Sequence, residues 1–185
     1  MMAQLIKNQA VAVDPWKTLE LAEGETPEAV SLPPGDVIFP LAVWRARKDE
    51  IIATHKRIGL LLQPDERVED IASDLDYFIV IAVNFPKFVD GRGYSSASLL
   101  RQRYHYQGEL RAVGDVLHDQ LFYMRRVGFD AYALKGDKDA IHALEHGFST
   151  FSDHYQTSTS QPQPQLPRTL RRISSGERHT SWRAE

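Results

Sequence analysis

The sequence predicts an α/β fold with a mostly parallel sheet built from repeated β-α units. Three observations carry this. Apolar β-rich runs alternate with amphipathic stretches four times between Arg57 and Tyr155, the pattern of parallel strands joined by right-handed crossovers. The run "YFIVIAVNF" is continuously apolar, β-branched and aromatic, as a strand covered on both faces must be. The length of 185 residues suits one domain with an extension, and a domain near 150 residues buries roughly 68–70% of its unfolded surface. The alternative is a partial (β/α) barrel, since four units are half of an eightfold one. Three regions follow: residues 1–31, an N-terminal strand and acidic loop; 32–155, the α/β domain; and 156–185, a disordered basic tail.

Residues 1–31 begin with "LIKNQAVAV", which reads as a strand, and an acidic loop then leads to the breaker cluster Pro33-Pro34-Gly35. A helix follows over 41–55, with Leu41, Trp44, Ile51 and Ile52 on its apolar face. "RIGLLLQ" is a short strand. Pro64 and Asp65 signal a helix start, and Val68, Ile71 and Leu75 make its buried stripe. After "YFIVIAVNF", Ala97, Leu100 and Tyr104 lie on one side of the next helix. "GELRAV" is a strand, "DVLHDQLFYMRRVG" a helix with Leu117, Leu121 and Met124 inward, and "FDAYAL" a strand. The last helix spans 137–155, with Ile141, Leu144 and Phe148 on one stripe. From Gln156 the chain is rich in Gln, Pro, Ser, Thr and Arg, a composition that predicts disorder.

Composition excludes several functions. There is no cysteine, hence no disulfide, Cys-ligated cluster or thiol nucleophile in this chain. No apolar run reaches the roughly 18–20 residues of a membrane span, and the first residues do not resemble an export signal, so a cytoplasmic protein is expected. Net charge is −3, divided into +3 from Gln156 onward and −6 before it. A folded body of that sign is not expected to bind nucleic acid.

In parallel α/β proteins, ligands bind where the strands end. After "YFIVIAVNF" come Lys87, Asp90, Arg92, Tyr94 and Ser95. After "GELRAV" come Gly114, Asp115, Asp119 and Gln120. In "DGRGYSS", the glycines allow a tight turn, Ser95 or Ser96 is placed to cap the next helix, and Arg92 suits a bidentate contact to phosphate, sulfate or carboxylate. The same residues also read as a capped turn whose Arg92 pairs with Asp90. Gly91-Arg92-Gly93 stands too far beyond the strand for a dinucleotide fingerprint. Asp115 fits an N-cap, and Asp119 either joins it as a carboxylate pair or lies on a solvated face. Glu109 and Arg111 share a strand face and are candidates for a buried ion network with Arg101, which also stands with Asp90, Arg92, Tyr94, Ser95, Asp115 and Asp119 as a candidate ligand- or anion-binding residue. His142 and His146 have metal-compatible spacing without HExxH context, so no metal site is expected. GxSxG and P-loop motifs are missing, and no cofactor is indicated.

The stretch "FPKFVDGRGYSSASLLRQRYHYQGELRAVGDVLHDQLFYMRRVGFDAY" resembles a bacterial family of unknown function whose members are often encoded beside the assimilatory sulfite reductase haemoprotein, some labelled "oxidoreductase probably involved in sulfite reduction". The shared pattern is F-P-x-F-x-D-G-R-x-Y-S, then L-R, G-E-L-R-A-x-G-D-V, D-Q and R-x-G-F-D, matched here from Phe85 through Asp130. The resemblance extends from about Leu32 to Tyr155, and the Gln/Pro/Arg tail departs from the pattern. It implies an accessory protein acting with the sulfite reductase haemoprotein in sulfur assimilation and cysteine biosynthesis. The alternative is a small enzyme, an oxidoreductase by the family's label, that binds an anionic metabolite at the strand carboxyl edge.

Overall fold

The computed structural model describes residues 4–134, 140–148 and 157–159. Eight strands form one curled, mostly parallel sheet with helices between them. They are β1 Gln4–Lys7, β2 Ala10–Val13, β3 Lys17–Thr18, β4 Val37–Pro40, β5 Ile58–Leu62, β6 Phe78–Phe85, β7 Glu109–Gly114 and β8 Ala131–Ala133. The spatial order is β2-β1-β8-β7-β6-β5-β4-β3. From β4 to β8 each strand lies parallel beside its predecessor in sequence, the winding of a (β/α) barrel. β1 runs antiparallel to both β8 and β2.

The helices are α1 Leu41–Thr54, α2 Arg92–Gln102, α3 Leu121–Val127 and α4 Ala140–His146, with a long 3₁₀ helix over Val68–Tyr77 and a short one over His118–Gln120. Their apolar faces bury the outer side of the sheet in one core. Leu41, Val43, Trp44, Val68, Ile71, Leu75, Ala97, Leu100, Leu121 and Met124 meet Phe39, Leu60, Ile81, Val83, Phe85, Leu110, Ala112 and Tyr132. Alternation sends the other residues of each strand inward. Ile38, Val80 and Ala82 pack there around Trp16, with Leu61 and Val113 beside them.

The curl follows from the connectivity. Val13 ends the strand at one edge of the sheet, and Lys17 begins the strand at the other. Four residue steps reach at most about 14 Å, whereas eight flat strands would separate their edges by about 34 Å. The sheet therefore curls into a half-barrel, bringing its edges close enough for residues 14–16 to cross the gap.

Several local expectations are corrected. "LIKNQAVAV" is a hairpin rather than one strand, because Asn8 and Gln9 both adopt positive φ (50° and 61°) and turn the chain in two residues. Val37–Pro40 is a strand running directly into α1, with Pro40 at the junction. Ile52 is exposed, and the backbone leaves helical geometry at Arg47 (φ −132°, ψ 29°), which re-phases the face of α1. The helix after Pro64 is of the 3₁₀ type, although Val68, Ile71 and Leu75 are its buried residues. Of the last helix, 137–139 and 149–155 lie outside the described residues, as does the tail apart from residues 157–159. Among the described residues, no helix is long and apolar enough to cross a membrane.

Candidate functional site at the carboxyl edge

The residues singled out in the sequence divide among three places. Asp90, Arg92, Tyr94, Ser95, Asp115 and Asp119 stand at the carboxyl edge of β6 and β7. The two loops there are stitched together: Asp115 N donates to Phe85 O (2.6 Å), and Gln120 Nε2 donates to Phe88 O (3.3 Å). Arg92 holds Asp90 through two bonds, Nε to Oδ1 at 3.0 Å and Nη2 to Oδ2 at 2.7 Å. This pairing keeps the Asp90 carboxyl below the usual range. Tyr94 sits edge-on to Phe85, with ring centroids 5.4 Å apart. Burial, and next the charge of Asp119, raise its hydroxyl pKa, which places Asp119 in its field.

Two capping assignments do not hold. α2 begins at Arg92, and Asp90 accepts from the Arg92 N–H, so Ser95 and Ser96 lie inside the helix. The next helical turn begins at His118, where Gln120 Oε1 accepts from Leu117 N, and Asp115 is not its cap.

Arg101 lies at the opposite edge. Its Nε donates to Gly128 O (3.0 Å), Nη1 to Gly108 O (2.9 Å) and to Tyr106 O, and Nη2 to Asp130 Oδ2 (2.9 Å). Asp130 Oδ1 in turn accepts from Leu110 N at 2.9 Å. Gly128 has φ +114°, and a Cβ there would stand 2.4 Å from Arg101 Cγ. Arg101, Gly108, Gly128 and Asp130 thus form a clamp where β7 and β8 begin. Part of the motif pattern builds this clamp, and another part builds the carboxyl-edge loops.

Glu109 and Arg111 point to the inner face. Arg111 is 2% exposed; it bonds Glu109 Oε1 through Nε (2.8 Å) and Asp14 Oδ2 through Nη1 (2.6 Å). Its Nη2 stands 2.7 Å from the same Glu109 oxygen, but off the line that a hydrogen bond needs. Lys7 Nζ reaches Glu109 Oε2 at 2.7 Å. The partners are therefore Asp14 and Lys7 from the N-terminal segment, not Arg101.

Above this network the inner face opens into a groove of about 710 Å³ at the carboxyl ends of β4 to β7. Leu61, Gln63, Asn84, Val113 and Gly114 line it from the sheet, Pro40 and Ala42 from the β4–α1 junction, residues 18–21 from the rim, and Glu66 from the loop after β5. Asn84 Nδ2 donates to Gln63 Oε1 (2.8 Å), and Gln63 N donates to Glu66 Oε2 (2.7 Å). Burial, the largest influence, raises the Glu66 carboxyl pKa despite that bond. A carboxyl perturbed by desolvation in a groove at this edge marks a functional candidate. Gly114 completes the wall: its φ is +96°, and a Cβ would meet Phe85 O at 2.4 Å and Asn84 Oδ1 at 2.6 Å.

Gln63, Glu66 and Asn84 were missed in the sequence, although the same rule of inspecting strand ends points to "LLLQPDE" and "AVNF". A second groove of about 470 Å³ borders α1 and residues 28–35. Its polar groups hold the loop in place, Arg47 on Val30 O and Glu50, and His55 Nε2 on Pro33 O at 2.9 Å. We therefore place the candidate site at the strand ends. Among the described residues, no group of three or more His, Asp or Glu converges as a metal site.

No curated protein matches the chain. A family model described as a bacterial protein of unknown function (DUF934) matches residues 59–166, more than half of the chain and the region from β5 onward that forms the clamp, the stitched loops and much of the groove. This chain belongs to that bacterial family, DUF934.

Proposed function

We propose that this protein is a cytoplasmic accessory of assimilatory sulfite reduction, in sulfur assimilation and cysteine biosynthesis, and that it docks on the sulfite reductase haemoprotein through its carboxyl-edge loop. The resemblance of the Phe85–Asp130 pattern to proteins encoded beside that haemoprotein supports the pathway. The observation that carries docking is the loop "FPKFVDGR". Phe88 is 47% and Val89 81% exposed, beside an exposed Arg92, while Gln120 and the turn from Asp90 N to Lys87 O hold their backbone. Apolar side chains presented on a preorganised backbone suit a protein partner.

Growth of a deletion strain on sulfate, sulfite or sulfide tests the proposal. Failure on the first two, rescue by sulfide, and failed complementation by a folded Val89→Asp variant are expected. Equal growth on all three sources rules out the pathway; full complementation by Val89→Asp rules out the loop.

A second reading, a small enzyme binding an anionic metabolite among Asp90, Arg92, Tyr94, Ser95, Asp115 and Asp119, is favoured by the exposure of the Arg92 side chain, 61%, above a largely covered Asp90. Solvent screening of so exposed a cation keeps its pairing with Asp90 weak, on the order of 1 kcal/mol, and leaves Arg92 accessible to an incoming anion. Stabilisation by sulfite or phosphate that Arg92→Ala abolishes would support it.

A further inference from the structure

We propose that the inner-face groove is a binding site for a small organic cation with an apolar body, its charge met by Glu66 and Glu20 and its N–H groups by the Gln63–Asn84 pair. This inference is independent of the sulfite reading and concerns a different surface from the docking loop.

The lining decides the class of ligand. Glu20 and Glu66 are its charged residues, and among the described residues no Lys or Arg lines the groove. Arg45, whose charge also reaches Glu66, does not line the groove and is held by Asp70 at 2.9 Å. Asp65 adds a further negative charge nearby. An inorganic or carboxylate anion would enter a field of its own sign and find no positive donor.

The hydrogen-bonding groups point the same way. One oxygen of Glu66 is taken by Gln63 N; among the described residues the other meets no hydrogen-bond partner. The bond between the Gln63 and Asn84 amides leaves one carbonyl of the pair wholly unused, along with N–H groups on both amides, whichever way round the amides stand. The cavity thus offers carboxylate and amide acceptors to N–H groups, and its own donors are neutral amide N–H groups that carry no positive charge. Leu19, Leu21, Leu61 and Val113 supply apolar contact for the body of the molecule. Bidentate pairing of a planar amidinium or guanidinium with a carboxylate satisfies these terms best.

The test is an isosteric series followed by ¹H–¹⁵N NMR on the full chain: benzamidine, benzamide and benzoate, which share a ring and differ in charge. Benzamidine should shift the Gln63 and Asn84 side-chain amides and the Gly114 backbone amide, and benzoate should leave them unmoved. Charge-assisted bonds are roughly twice as strong as neutral ones, so Glu66→Gln should weaken benzamidine by about tenfold and leave benzamide unchanged. Glu20→Gln, at an exposed rim position, should give a smaller loss in the same direction and serves if Glu66→Gln misfolds. Equal binding of benzamide or benzoate, no binding of benzamidine, or shifts mapping outside the groove would each overturn the proposal.

Discussion

Replacing Arg101 with methionine tests whether this residue is a fold clamp rather than part of a ligand site. Its side chain is 14% exposed, and methionine keeps much of the packing while removing donors to Gly128 O, Gly108 O, Tyr106 O and Asp130. A hydrogen bond involving a charged group contributes about 1.5–3 kcal/mol, but the freed carbonyls at an edge regain water, so four such values do not add. Breaking a fully buried pair costs about 3–5 kcal/mol; Asp130 keeps 36% side-chain exposure, which discounts that figure. We expect a loss of about 3 kcal/mol at neutral pH, measured by urea unfolding of the full chain. Arg92→Ala, removing a 61% exposed cation from its pair with Asp90, should cost less, about 1 kcal/mol.

The pH dependence sharpens the test. Burial is the largest influence on Asp130 and raises its carboxyl pKa, against the Leu110 N–H and the Arg101 charge, which lower it. Without Arg101 it rises further. A folded-state pKa above the unfolded one favours the protonated form, so the variant's deficit is greatest at neutral pH and shrinks as pH falls through that raised pKa. The Arg101→Met penalty should therefore be smaller at about pH 5 than at about pH 7. A loss no larger than that of Arg92→Ala, or a penalty that grows on acidification, would refute the clamp.

Gly114→Ala should destabilise the chain by about 2–5 kcal/mol, because a positive φ is joined to contacts of 2.4 Å and 2.6 Å with groups that cannot retreat. At about 2–4 °C per kcal/mol, the midpoint should fall by roughly 4–20 °C in a thermal scan, and an unchanged midpoint would contradict the packing at the end of β7. Tyr106 and Tyr132 bury their hydroxyls against Phe78 O (3.1 Å) and Phe129 O (2.9 Å), and burial pushes both far above the usual tyrosine range. Each stays protonated in the fold but ionises when unfolded, so stability falls as pH rises above the ordinary tyrosine pKa of about 10. An ultraviolet titration should hold two of the seven tyrosines back until the far-ultraviolet signal collapses; ionisation of all seven before unfolding would contradict this.

The strands from β5 to β8 were legible because burial from two sides writes continuous apolar runs such as Ile58–Leu62 and Phe78–Phe85. Val37–Pro40 was not, because no breaker separates it from α1 and Pro40 serves both elements. Asn8-Gln9 hid a hairpin because the usual signal, a glycine in the turn, is missing. Arg101 was visible as a charge, but its edge depends on helix length: nine residues beyond Arg92, at 1.5 Å each, α2 carries it about 14 Å back across the sheet. In the groove, Gln63 and Glu66 were obscured by Pro64-Asp65, which reads as a helix start, and Asn84 by its place in the strongest strand. The rim at residues 18–21 and the floor at Trp16 come from a segment whose place depends on how the sheet closes, which no local pattern encodes.

That closure also accounts for the buried charges. β2 and β3 stand at opposite edges of the rolled sheet, so no ladder of backbone bonds joins them. Residues 14–16 cross between them, with Asp14 and Trp16 turned to the inner face, where they meet Arg111 of β7 and the Ile38, Val80 and Ala82 cluster. Arg111 fixes the crossing segment to a central strand, and Lys7 of β1 reaches Glu109 on the same strand. Two cations and two carboxylates balance, so the set carries little net charge into the interior; removing one member leaves an uncompensated charge there. Such a network need not stabilise more than apolar packing would, but it is more selective: only one register of β1, β7 and the crossing segment brings all four groups together. Side chains thus define the floor where the backbone leaves the sheet open, and the groove above inherits its shape from that floor.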